Sequence, residues 1–247
     1  LWLKGTADIA SACVNYLSGD FVGAEADAKS ALRSSQESGH VAVRRAALAD
    51  LGHVCLVSEK YDDAARWLND ALAMSPPYGD SRVGILDGLA QLHLIAGELD
   101  ACQSILSLIE DIAQHPSRSA RPAEMWHRVT KARCLIAGRE YAEALRVATD
   151  TKEELLAISD PNLRWLLECL WVEALVRLES ASTVQDRLWR LVGNSRQMST
   201  EVVAELLRVA INRKHLGGLV APRVLLAVVL RHEPRLVRIE ALDTQEE

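Results

Sequence analysis

Four times along the chain, a helix-compatible stretch breaks at a short polar turn. It resumes on an aromatic residue or leucine, and three positions later comes a small side chain. The instances are Gly19-Asp20-Phe21 with Ala24, Glu59-Lys60-Tyr61 with Ala64, Gly97-Glu98-Leu99 with Cys102, and Arg139-Glu140-Tyr141 with Ala144. The small residues stand 40, 38 and 42 positions apart, and twelve before each lies another: Ala12, Gly52, Ala90 and Ala132. A repeat of this length constrains the fold more than any local propensity. One such unit cannot bury its apolar face alone and must stack on its copies. Small side chains at two fixed places let paired helices approach closely, and the aromatic residue or leucine plugs the gap to the next pair.

Composition agrees with helices throughout. The 247 residues are 49% hydrophobic and 25% charged, enough for a core, yet only 4% are aromatic and a single Phe occurs. The apolar mass is Ala, Leu and Val with 13 Gly and 7 Pro, which is poor material for sandwiches or barrels and good material for helices.

The pattern resembles the tetratricopeptide repeat family. In the second copy Leu51-Gly52, Cys55, Tyr61, Ala64, Leu68, Ala71 and Pro76 fall where the family has Leu-Gly, a large residue, Tyr, Ala, a large residue, Ala and Pro. The first copy keeps Ala12, Gly19, Phe21, Ala24, Ala28 and Ala31, with Asn15 in place of a large residue. The third keeps Leu89-Ala90, Gly97, Leu99 and Leu106; the fourth keeps Ala132, Tyr141 and Ala144, with Thr151 for the later Ala. The family's Trp in the first helix is absent from all four. The resemblance implies an all-α, right-handed superhelical solenoid of antiparallel helix pairs, with four repeats over 1–158. Two degenerate pairs and a cap or tail are expected over 159–247. There Asp160-Pro161 opens a helix over 161–179, Ser182 and Gln185 form a capping box, and helices follow at 200–216 and 220–232. Ala174 and Ala210 take the small-residue role, and Pro222 replaces the expected Ala. His115 to Ala123 reads as a surface loop and Asp243 to Glu247 as a frayed end. The period exceeds the family's usual ~34 residues, as in the arrays of large bacterial transcription regulators, where ATPase and DNA-binding modules sit alongside. Together with a first residue other than Met, this makes a piece of a longer cytoplasmic regulator the expected origin.

A net charge of −6 argues against electrostatic coating of nucleic acid. The charge is uneven: between Arg208 and Arg238 seven cations face Glu233 alone, a solvated face or a basic partner-binding end. No apolar run approaches the ~20 residues of a membrane span, and no signal peptide is visible. The five Cys, never in a CxxC pair, read as buried thiols. Gly-rich phosphate loops, dinucleotide fingerprints, HExxH and GxSxG are all missing, and the seven His never stand at i, i+4. Catalysis, cofactors and metals are therefore not expected.

In such an array the first helices of successive pairs line a concave groove. Counting from the small residues puts Ile9 and Cys13, Ala49 and His53, Asp87 and Gln91, and Val129 and Arg133 on that face, with Trp126 one turn further. His53, Asp87, Gln91, Trp126 and Arg133 are the candidate binding residues. Arg beside an indole is a common recognition pair, although Trp126 packed on the preceding pair is the plainer alternative. The family's peptide clamp for a terminal carboxylate uses Lys and Asn where Ile9, Cys13, Ala49 and His53 stand, so that mode is not expected. Trp165, Trp171 and Trp189 concentrate in the fifth repeat, as packing or as a self-association surface. The expected function is a non-enzymatic module that binds a protein or peptide. A small-ligand sensor in the groove and a self-association scaffold are the alternatives.

Overall fold

A computed structural model describes residues 1–114, 122–154 and 161–178. All regular structure among these described residues is helical: α1 (Trp2–Ser18), α2 (Phe21–Ser38), α3 (Val41–Val57), α4 (Tyr61–Ala73), α5 (Asp80–Ile95), α6 (Leu99–Ala113), α7 (Pro122–Ala137), α8 (Tyr141–Glu154) and α9 (Pro161–Leu178). The helix expected at 161–179 is α9. Pro122, assigned to a loop above, is instead the first residue of α7, a position where the missing N–H of proline costs nothing. Trp189, Ala210, Pro222, the basic stretch Arg208 to Arg238, the helices expected beyond 179 and the terminal tail lie outside the described residues. So does most of the 115–123 connector.

The repeat seen in the sequence is a repeat of backbone geometry. Phe21, Tyr61, Leu99 and Tyr141 are each the first residue of the second helix of a pair. Two residues earlier, Gly19, Glu59, Gly97 and Arg139 take a left-handed conformation with φ of 81°, 61°, 76° and 64°. The following N–H groups reach back to the last turn in the same way each time: Asp20 to Asn15 O at 2.9 Å, Lys60 to Cys55 O at 2.9 Å, Glu98 to His93 O and Glu140 to Leu135 O at 2.8 Å. This is the Schellman arrangement, which satisfies orphan carbonyls and reverses the chain in three residues. Glycine suits the left-handed position; Glu59 and Arg139 do not, because their Cβ crowds the carbonyl. Glu59→Gly is accordingly expected to raise the unfolding free energy by roughly 0.5–1 kcal/mol, strain relief outweighing glycine's added chain entropy. Urea denaturation checks it, and a loss of stability would refute the strain argument.

The chain divides into two compact units, Leu1–Thr130 and Lys131–Glu247, with the division inside α7. In the first unit α1 to α6 pack each on the next, and α3 additionally touches both α1 and α5. Successive pairs therefore stack through their first helices. The signature residues form the seams: Ala12, Ala24, Ala64, Ala90 and Cys102 are all buried. Gly52 is needed for a close approach, since a Cβ there would stand 2.6 Å from Leu68 Cγ. Larger side chains fill between the seams, with Leu48, Leu68, Ala71, Ile85 and Leu89 in one cluster. At the surface, Glu25 on α2 takes Lys29 at 2.6 Å and Lys60 at 3.1 Å, tying the first pair to the second.

In the second unit α8 packs on α9, and Ala132, Ala144 and Ala174 are buried. α9 buries Leu163, Leu166, Leu167, Leu170, Val172 and Leu175, residues that point around most of the helix, as in a helix enclosed on several sides. Lys152 on α8 pairs with Glu168 on α9. Four of the five thiols are buried as expected; Cys13 is exposed. Exposed Val14 and Leu17 are nearby on the same helix.

Candidate functional site

The first helices α1, α3 and α5 lie side by side, which brings equivalent positions of three repeats onto one surface. Of the positions counted toward it, Cys13 is exposed while His53, Gln91 and Ala49 are half-buried. Ile9 turns partly inward against Ala31, Val43 and Ala47. Asp87 is only 7% exposed, and its Oδ2 accepts a hydrogen bond from Gln91 Nε2 at 2.9 Å. These two candidate residues are thus joined, one helical turn apart. His53 reaches across from α3 to α5: a Cβ placed on Gly88 would come within 3.0 Å of its Cε1. The absence of a side chain at Gly88 is what admits the imidazole. Burial pushes the His53 pKa below its ordinary value, so the ring is neutral at neutral pH and offers one donor and one acceptor.

Asp50 belongs to the same region and was not among the candidates. It lies one turn before His53 on α3, and its Oδ2 is buried without a hydrogen bond. Desolvation raises its pKa to about 7. The carboxylate in turn helps burial to raise the pKa of Cys13 on α1. The only sequence signal for Asp50 is its i, i+3 relation to His53, and that is too common to single out a residue.

Trp126 and Arg133 are seven residues apart on α7, with the division between the two units falling between them. Both are half-buried, Val129 between them is buried, and His127 beside Trp126 is buried. In the second unit Trp165 and Trp171 are half-buried. Trp171 is engaged internally: its Nε1 donates to Thr149 Oγ1 at 3.1 Å and Lys152 Nζ lies 5.5 Å from the ring centre. Tyr141 carries Arg177 over its face at 5.4 Å, so the residue that opens α8 also anchors α9.

Among the described residues no group of three His, Cys, Asp or Glu side chains could hold a metal ion, and no helix is long and apolar enough to cross a membrane. What α3 and α5 bring together on this side is a set of hydrogen-bonding groups: two carboxyl groups, an amide and a neutral imidazole, with Asp87 buried and Asp50, His53 and Gln91 half-buried.

No protein-family model and no curated protein matches the chain. Solved structures do. Two crystal structures of a Podosopora anserina protein named for kinesin light chain, built of nearly identical TPR-like repeats, superpose with TM-scores of 0.54 and 0.53. Identity is 15% in each, over 78% of this chain and 95% of that one. Identity so low speaks to backbone architecture alone. Together with the four repeated turns and the buried small-residue seams, it shows that this chain has the all-α, tetratricopeptide-like helical-repeat fold.

Proposed function

We propose that this protein is a non-enzymatic module that binds a protein or peptide segment along α1, α3 and α5, within a larger bacterial signalling or transcription regulator. The observation that carries the reading is the alignment of three first helices with Cys13, His53 and Gln91 at equivalent positions and the half-buried small residues Gly84, Ala46 and Ala49 on the same helices. Helix-pair stacks commonly use this kind of extended surface for recognition. No Lys or Arg stands at the Ile9, Cys13, Ala49, His53, Asp87 or Gln91 positions, so the surface is suited to a segment that presents hydrogen-bond donors rather than a terminal carboxylate.

Cys13 supplies the test, because it is exposed on this surface and a large side chain there costs the core nothing. A peptide library should yield binders whose affinity falls about tenfold or more in Cys13→Trp and in Gln91→Ala, a loss typical of a recognition contact. Circular dichroism should be unchanged in both variants. Binders that retain full affinity for both would place recognition elsewhere and overturn the reading.

A further inference from the structure

Away from that surface, an open cavity of about 360 Å³ lies in the first unit between α2, α3 and α4. Each helix contributes an apolar residue and, about one turn away, a polar one: Leu32 and Gln36, Leu48 and Arg44, Trp67 and Asp70. Exposure sorts them into floor and rim. Leu48 is buried and Leu32 and Trp67 are half-buried, whereas Gln36, Arg44 and Asp70 are exposed. Arg45, next to the rim Arg44, reaches over to Met74 O at the end of α4 with a long hydrogen bond of 3.5 Å. That bond joins the two walls at one end of the cavity.

The rim holds one cation and one anion, yet Arg44 and Asp70 form no ion pair with each other or with any other of the described residues. A purely anionic ligand would meet Asp70, and a purely cationic one would meet Arg44. A ligand carrying both charges satisfies the two together. The guanidinium fork matches a carboxylate, Asp70 accepts from an ammonium group, and Gln36 offers an amide that serves either. The apolar floor requires a hydrocarbon or aromatic body beneath that head, and the volume is at the small end of the ~300–1,000 Å³ typical of ligand sites.

We propose that this cavity binds a free α-amino acid with an apolar or aromatic side chain, its carboxylate on Arg44, its ammonium on Asp70 and its side chain against Leu32, Leu48 and Trp67. The site is separate from the α1, α3 and α5 surface, and the proposal does not depend on the function assigned to that surface.

Titration calorimetry and saturation-transfer NMR with L-phenylalanine and L-leucine test it, beside N-acetyl-L-phenylalanine and L-phenylalaninamide, each of which lacks one charge. Saturable binding of the free amino acids is expected, with each blocked analogue about tenfold weaker, the loss that goes with one charge-assisted contact. Arg44→Gln should abolish the preference for phenylalanine over its amide, and Asp70→Asn the preference over its N-acetyl form. Cys13→Trp should leave the titration untouched. No saturation up to the order of 10 mM, equal binding of the blocked analogues, or preferences that survive both rim variants would each overturn the proposal.

Discussion

Leu68→Ala is expected to lower the unfolding free energy by about 2–5 kcal/mol, the range for emptying a well-packed leucine site. Leu68 is fully buried in the cluster with Leu48, Ala71, Ile85 and Leu89. Its environment argues for the upper half of that range. It packs against two glycines, Gly52 on α3 and Gly88 on α5, which have no side chains with which to refill the space. The same contact works in reverse. A Cβ at Gly52 would lie 2.6 Å from Leu68 Cγ and 2.7 Å from Cδ2, and Leu68 cannot swing aside into occupied core. Gly52→Ala should therefore cost about 1–3 kcal/mol by overpacking. The two effects share one volume, so Gly52→Ala combined with Leu68→Ala should be less destabilising than the sum of the separate losses, by about 0.5–3 kcal/mol. Urea denaturation of the four proteins measures this coupling. Strict additivity would mean that the helices separate to admit the methyl group, and would remove the steric reason for a small residue at this place in the repeat.

The second large effect concerns pH. Asp50 has a folded-state pKa of about 7 against an ordinary 3.8, because burial penalises its charged form. Between those values the folded protein holds a proton that the unfolded chain has released, so stability falls as pH rises from about 4 to about 7 and is level above. The full gap corresponds to roughly 4 kcal/mol, an upper figure since the site can relax or hydrate. Asp50→Asn removes the titration. It should stabilise the protein above pH ~7 and flatten the slope of stability over the window just named. His53 contributes in the opposite sense: its pKa is lowered by burial, so its share of stability is present at neutral pH and lost on acidification. Thermal melts from acid to neutral pH would show the difference between the parent and Asp50→Asn. Parallel profiles for the two proteins would show that Asp50 is solvated and ionised in the fold.

Much of the architecture is legible along the chain. The residues that open α2, α4, α6 and α8 are the aromatic residues and leucine of the repeat, and Ala12, Ala24, Ala64, Ala90, Cys102, Ala132 and Ala144 are buried as their recurrence implies. These features are legible because the causes are short-range and repeated: a Schellman turn needs a left-handed residue, and close helix pairs need small side chains at a fixed offset from it. Glu59 and Arg139 show the limit, since only the surrounding turn makes their left-handed conformation inferable.

The surface that recognises a partner is less legible. Counting along the repeat places Ile9, Asp87 and Val129 on the open face, yet Ile9 packs partly inward and Asp87 and Val129 are buried. The count also passes over Asp50, and it gives no hint that Trp171 is held by Thr149 and Lys152 from the neighbouring helix. Helix lengths, turn geometry and the small-residue seams follow from the amino-acid order, because they depend on interactions within one or two turns. Which polar side chain is dry, which is wet, and where Arg44 and Asp70 come to share a cavity depend on how successive helices cross. Crossing is decided by the packing of residues tens of positions apart, and only the folded chain brings those together.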